Sequence, residues 1–384
     1  MAAKRFAKHA KEDRFRLFGG ATVDIPFLCL VLLLLAVGLA MLYSASSAQS
    51  LYDTNYETSV YYFSKQAVCA VLGLVCMYGF SRIRPVTWER LAWPAYFAAI
   101  GLLLSVLFVG ESVNGARRWI TVAGIQFQPS EIAKFSLIVL LARLAKGFGS
   151  RASRFRYGVA GFGAAMLGIL IPLALEKHLS AIMLLGLVAV IMMFISGTKM
   201  RYLAGAAALA LVFVAVYVTF MGYAGDRITA WLHPEQDPSD TGYQILQSLY
   251  AIGSGGLFGL GYGKSRQKYL YLPFQYNDYI FAVVCEELGL VGALAIMVLF
   301  ALLLARGYWI ALQARDRFAT LLAAGLTTLI GVQTVLNLCV VTNLLPSTGI
   351  ALPFFSYGGT ALAVNLGEMG IILGISRKKQ EESV

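Results

Sequence analysis

Apolar runs close to the roughly 20 residues that a helix needs to cross a bilayer recur along almost the whole chain, separated by short polar breaks. Their spacing predicts ten membrane spans, at about 25–46, 60–80, 92–110, 131–146, 158–175, 178–196, 202–222, 279–305, 318–342 and 355–375. The fourth is short and polar at its start, and glycines, Asn365 and Glu368 interrupt the tenth. No polar stretch is long enough for a separate soluble domain. The pattern therefore predicts one all-α, polytopic integral membrane domain over residues 1–384, with a basic N-terminal segment (1–24), a long loop (223–278) between the seventh and eighth spans, and a short tail (376–384).

Composition agrees: 59% hydrophobic and 13% charged residues exclude an ordinary soluble protein. The net charge of +11 does not point to nucleic acid, because Lys and Arg sit in short clusters between apolar runs instead of along one face. With both termini cytoplasmic, 22 of the 31 basic residues, including those of the segment Arg143 to Arg156, fall on inner segments, as the positive-inside rule requires. The other nine, Lys65, Arg117, Arg118, Lys134, Lys177, Arg227, Lys264, Arg266 and Lys268, lie on the outer side or enter the membrane from it. The basic N-terminus precedes a full-length span and reads as a retained first helix. Cys29, Cys69, Cys76, Cys285 and Cys339 fall in apolar segments and read as packing residues with no disulfide, and His9, His178 and His233 are too scattered for a metal cluster.

Chemistry concentrates in three outer segments. In Lys264 to Gly292 a basic, tyrosine-rich loop leads to Asp278 and then directly into an apolar helix. A carboxylate at the lip of a span is either a helix cap or a working group, and position alone does not choose. Glu286 and Glu287 follow about two turns on, roughly 12 Å at the helical rise, and read equally as a buried structural pair or as site residues. The run GSGGLFGLGYGKS (253–265) lacks the spacing of a phosphate-binding Walker loop. Its glycines serve tight turns and close backbone approach, or else form a backbone nest for a phosphate. In Asn114 to Phe135, Ser130 can cap a helix and Glu131 with Lys134 can form an ordinary i,i+3 pair. Neither explains Arg117 and Arg118, whose planar donor forks suit phosphate. Asn343 to Gly359, with two prolines and three glycines among apolar residues, reads as a re-entrant or interfacial turn.

Five blocks, NGARRWI (114–120), FQPSEIAK (127–134), QSLYAIGSGGLFGLGYGKS (247–265), KYLYLP…NDYIFAVVCEELGLVG (268–292) and PSTGIALPFFSYGG (346–359), resemble in order the SEDS family, the FtsW, RodA and SpoVE group of bacterial cell-wall polymerases. NGARRW looks closer to the division or sporulation branch. The resemblance implies ten helices and a multi-pass glycosyltransferase of the bacterial cytoplasmic membrane. That enzyme polymerises lipid II at the outer face with a class B penicillin-binding transpeptidase and other division or sporulation membrane proteins. It puts the family's essential aspartate on Asp278 and a cavity-lining polar pair on Glu131 and Lys134. Two positions depart from the family pattern: Phe274 stands where many relatives have Glu, and Lys177-His178-Leu179-Ser180 stands where many have Pro-Asp-Leu-Gly.

The residues and the resemblance together assign Asp278 as general base. Arg117, Arg118, Glu131, Lys134, Lys268 and Glu286 are the substrate-binding candidates, with a divalent cation (Mg or Mn) as a further candidate for stabilising the leaving diphosphate. A lipid II flippase and a non-catalytic scaffold for the transpeptidase are the competing readings.

Overall fold

The computed structural model describes residues 21–379 except Tyr56, 114–115, 123–124, 207, 209–211, 213–228 and 237–240. In chain order its helices are α1 (Ile25–Asp53), α2 (Tyr61–Arg82), α3 (Pro85–Val109), α4 (Pro129–Phe148), α5 (Phe162–Leu175), α6 (Leu179–Ile195), α7 (Thr241–Ser254), α8 (Ile280–Gln313), α9 (Arg317–Val341) and α10 (Gly359–Ser376). Among the described residues seven helices are long and apolar enough to cross a membrane: α1, α2, α3, α5 with the helical turn before it, α8, α9 and α10. The more polar α4 and the shorter α6 occupy two further expected spans. The seventh expected span lies largely outside the described residues, as do the N-terminal segment 1–20, parts of the long loop and the last residues of the tail.

Each helix end has a local cause. α1 begins at Asp24, whose carboxylate accepts from the Phe27 amide at 3.0 Å, with Pro26 in the first turn where its missing N–H is harmless. It runs seven residues past the expected end at 46 because Ser44, Ser46 and Ser50 turn inward and are buried. α9 and α4 form the interior, with Leu137 to Ala142 of α4 buried, while α2 and α3 turn Val71, Phe97 and Phe108 outward. The glycines that interrupt the tenth span are its packing surface: a β-carbon on Gly370 would lie 2.3 Å from Met77 O of α2, and one on Gly374 2.9 Å from Ser81 O.

α8 is broken where the sequence predicts a continuous span. Gly289 has φ 68 and ψ −169, so the amides of Leu290 and Val291 cannot reach their own helix. They donate instead to Gly256 O (2.9 Å) and Leu257 O (3.1 Å). The carbonyls they would have used, Glu286 O and Glu287 O, accept from Leu260 N (2.9 Å) and Gly261 N (3.0 Å). The glycine run is thus inserted into the helical ladder. Contact this close needs residues without side chains: a β-carbon on Gly255 would lie 2.0 Å from Cys285 O, and one on Gly259 2.2 Å from Glu287 O.

The first long loop carries a small antiparallel sheet, the one departure from the all-helical expectation that bears on the site. Strands β2 (Glu111–Val113), β3 (Ala116–Val122) and β4 (Ile125–Phe127) pair in the order β2-β3-β4, with Ser112 opposite Arg117 and Ile120 opposite Phe127. β1 (Ala21–Thr22) pairs with β5 (Lys378–Lys379), and Arg306 holds Asp24 at 2.9 Å. Both ends of the described chain therefore meet at one end of the bundle, as an even number of crossings requires.

Candidate functional site

Asp278 sits at the other end of the bundle, one residue outside α8: the N-cap position is Tyr279, which makes no side-chain capping bond. Its main chain is fixed by Asn337 of α9, whose Nδ2 donates to Asp278 O and Ile350 O, each at 2.7 Å. The loop before α10 is stitched to the same turn, because Ser356 Oγ donates to Asn277 O (2.7 Å) and Tyr357 N to Tyr276 O (2.9 Å). That loop is irregular yet buried at Ile350, Leu352, Phe354 and Phe355. Gln333 donates to Ala351 O (2.9 Å) and Gln66 to Ser356 O (3.2 Å), so protein groups satisfy its backbone as a non-helical segment at membrane depth requires. Gly349 turns beneath Asp278 with φ +72, and a β-carbon there would lie 3.2 Å from Asp278 Oδ2.

A second arm reaches this loop from the turn between α5 and α6. Ser180 Oγ donates to Thr348 O, and Arg118 of β3 donates to Lys177 O. Arg118, the 176–180 turn, Thr348, Gly349 and Asp278 therefore form one connected polar surface. Adjacent residues of a strand face opposite ways. Arg117 accordingly points elsewhere and donates to Leu107 O (2.9 Å), one of the open carbonyls at the end of α3, where a cation is favoured. That accounts for Arg117 without a ligand. Glu176 and His178 are buried in the same turn, and Glu176 Oε1 and His178 Nδ1 have no hydrogen-bond partner among the described residues. Burial pushes the Glu176 carboxyl up to about 8, against the opposing pull of Arg118.

Beneath this turn, on α4, Lys134 pairs with Glu131 at 2.7 Å, both buried, in the i,i+3 geometry the sequence suggests. The start of α4 differs from the expected cap: Pro129 is the first helical residue, the N-cap is Gln128 without a side-chain bond, and Ser130 is buried with its Oγ unpartnered among the described residues. Glu368 of α10 lies within electrostatic reach of Lys134 and Glu131 and is 1% exposed, and neither of its carboxyl oxygens has a hydrogen-bond partner among the described residues. Lys134 also acts on His178, which ties this group to the turn above.

Lys268 and Glu286 fall in a different cluster. Glu286 accepts from Ser265 Oγ and from the amides of Arg266 (2.9 Å) and Gln267 (3.3 Å). Glu287 accepts from Ser44 Oγ (2.6 Å) and the amides of Gly263 (3.0 Å) and Ser265 (3.2 Å), and pairs with Lys268 Nζ at 3.1 Å. Lys268 Nζ also donates to Gly263 O (2.7 Å) and Ser44 Oγ (3.0 Å). The end of the glycine-rich run is therefore an anion nest, and the anions it holds are the chain's own carboxylates.

The predicted residues thus divide. Asp278, Arg118, Glu131 and Lys134 belong to one surface, Lys268 and Glu286 to a closed latch, and Arg117 to neither. Among the described residues no three His, Cys, Asp or Glu side chains converge on one point. Sequence reasoning passed over Glu176 as a site residue and noted Glu368 only as an interruption. The available signal was an apolar helix carrying a carboxylate with no basic residue three or four positions away.

The family model described as Cell cycle protein, covering FtsW, RodA and SpoVE, matches residues 25–381. The chain is 39% identical over 358 residues to the Probable peptidoglycan glycosyltransferase FtsW of Geobacter metallireducens, covering 92% of this chain and 95% of that one. It is 37% identical over 359 residues to Stage V sporulation protein E of Bacillus subtilis, covering 92% and 97%. Its fold is similar to a chain of a solved peptidoglycan synthase complex, described for its structural coordination of polymerization and crosslinking, with TM-score 0.77, 30% identity and coverage of 92% and 97%. It is also similar to the Rod shape determining protein RodA of Thermus thermophilus, with TM-score 0.68, 29% identity and coverage of 94% and 98%. Membership of this family accounts for the helical bundle, the five sequence blocks and their convergence at one end: the chain belongs to the FtsW/RodA/SpoVE family of polytopic membrane proteins.

Proposed function

We propose that the chain is a peptidoglycan glycosyltransferase that polymerises lipid II at the outer face of the cytoplasmic membrane, in partnership with a class B penicillin-binding transpeptidase. The observation that carries this reading is the placement of Asp278 over the buried loop at Gly349, joined through the 176–180 turn to Arg118. In the reaction, the 4-hydroxyl of the acceptor N-acetylglucosamine attacks the anomeric carbon of the donor sugar. The carbon–oxygen bond to the diphosphate breaks, and the hydroxyl proton passes to Asp278. Arg118 offers its guanidinium and Lys134 its ammonium to the charge that develops on the diphosphate.

A flippase would need a polar path onward through the bundle. Past Lys134, α4 continues as Leu137, Ile138, Val139, Leu140 and Leu141, all buried and apolar. Along α4 the path from Lys134 is therefore interrupted by apolar side chains, which favours a polymerase. Purified chain incubated with lipid II, with and without its transpeptidase, tests the reading: glycan strands on a gel are the expected product. Movement of lipid II across vesicles without polymer would replace it by the transporter, and full polymerisation by an Asp278→Asn variant would remove Asp278 as the base.

A further inference from the structure

Tyr276, two residues before Asp278 and so at most ~7 Å from it along the chain, is the centre of an aromatic group that the interactions above do not use. Its ring stacks on Tyr62 of α2 with centroids 4.5 Å apart, and Tyr357 closes on both rings, 5.0 Å from Tyr62 and 5.8 Å from Tyr276. Tyr61 stands edge-on to Tyr62 at 5.2 Å. Each outer edge carries a charge. The Tyr62 hydroxyl donates to the carboxylate of exposed Asp53, and exposed Lys65 lies 4.1 Å over the Tyr61 ring with its ammonium 2.6 Å from the Tyr61 hydroxyl.

Tyrosines at a membrane surface ordinarily act singly, as anchors at the headgroup level. These four are interlocked, half-buried or at the edge of exposure, and bound through the Tyr357 amide to the turn that carries Asp278. A pyranose has an apolar C–H face and a polar rim. A tyrosine cluster supplies the matching apolar face, a carboxylate accepts from hydroxyl and amide N–H groups, and an ammonium donates to ring and carbonyl oxygens. We infer that the Tyr61, Tyr62, Tyr276 and Tyr357 cluster, with Asp53 and Lys65 on its rim, is the platform that holds the acceptor N-acetylated amino sugar and presents its hydroxyl to Asp278. The inference rests on the glycosyltransferase reading. It adds the subsite for the attacking sugar, as distinct from the diphosphate subsite at Arg118 and Lys134.

The test uses the full chain in detergent and a lipid-free probe, di-N-acetylchitobiose, followed by saturation-transfer NMR. Wild type should transfer saturation to the sugar. Tyr276→Leu and Tyr62→Leu should reduce the transfer about tenfold, the loss of one aromatic contact of ~1.4 kcal/mol. Tyr62→Phe keeps the ring and should retain most of the signal, which a purely structural role for the hydroxyl contact would not produce. Tyr250→Leu, which removes an exposed tyrosine of α7, should change nothing. With lipid II as substrate, the same leucine variants should need about tenfold more lipid II for half-maximal rate while their melting midpoints stay at the wild-type value. If the leucine variants do not fold, Asp53→Asn at the exposed rim should still lower the sugar signal several-fold. Undiminished transfer in Tyr276→Leu or in Asp53→Asn, or no transfer in wild type, overturns the platform. Sugar binding by a wild type that makes no polymer leaves the platform standing and removes the polymerase reading.

Discussion

Two buried clusters in this protein have the same inventory, one lysine and two glutamates, and opposite states of completion. Lys268, Glu286 and Glu287 are surrounded by Ser44, Ser265 and the amides of Gly263, Ser265, Arg266 and Gln267, so that the carboxylates and the ammonium have partners on several sides. Lys134, Glu131 and Glu368 share a single ion pair, and the Glu368 carboxyl has no hydrogen-bond partner among the described residues. Burial and charge are therefore poor guides to function. A buried ionic group that has used its bonding capacity holds a fold together, and one that retains capacity is where a ligand can enter.

If that distinction is right, substitutions must separate rate from stability. The largest effect is expected at Asp278: Asp278→Asn should lower polymerisation about 10²–10⁴-fold, the usual contribution of a general base. Its melting midpoint should hold, since Tyr279 and not Asp278 occupies the cap position. Polymer on a gel and a thermal melt check the two halves. Next comes the closed cluster, where Glu287→Gln breaks a buried pair and should cost about 3–5 kcal/mol of stability. The surviving folded fraction should turn over lipid II at the wild-type rate. The same change at Glu368 removes no hydrogen bond seen here and should move the melt by less than ~1 kcal/mol. Comparable destabilisation by both would erase the contrast between the clusters. Arg118→Ala should reduce turnover about tenfold to a hundredfold, the loss of a charge-assisted contact of ~1.5–3 kcal/mol, with the fold intact.

A further effect is a pH dependence. Glu176 keeps its proton in the folded chain up to about 8, while an exposed glutamate ionises near 4.5. Between those values the folded state binds more protons than the unfolded one, so this group makes stability fall as pH rises through that window. Glu176→Gln should flatten that part of a melting-versus-pH curve, and an unchanged curve would remove Glu176 from the site's electrostatics.

How much of this was legible in the sequence depended on whether a local rule was at work. Helix positions followed from apolar runs, and the Glu131–Lys134 pair followed from i,i+3 spacing. The three-stranded sheet was missed although Asn114-Gly115 is a strong hairpin signal in a sequence, because a loop between two membrane spans invites no strand reading. With β3 in place, the separation of Arg117 from Arg118 is the alternation of any strand. The expected Ser130 cap failed because α4 starts at Pro129, two residues before the expected 131. The bonding of Lys268 and Glu286 was not legible, because their partners, Ser44 and the 263–267 amides, come from distant or irregular chain that no periodicity announces. Glu368 and Glu176 carried a signal, a carboxylate without a local cation, but what makes them unusual is the set of helices packed around them.

The break at Gly289 has a mechanical consequence. An unbroken α-helix of 34 residues transmits bending and twist from one end to the other, and α8 would connect Asp278 rigidly to Gln313. With its ladder handed over to the 256–261 segment, the piece ending at Leu288 and the piece beginning at Leu290 are each bonded to that loop, which forms the joint between them. Changes of bilayer thickness, or the pull of another protein on the lipid-facing length of α8, meet that joint before they reach the carboxylate. Gly259→Ala would stiffen or spring that joint from outside the polar surface around Asp278, because its new β-carbon would meet Glu287 O at 2.2 Å. Asp278 then moves with the glycine run instead of staying registered on the Gly349 turn.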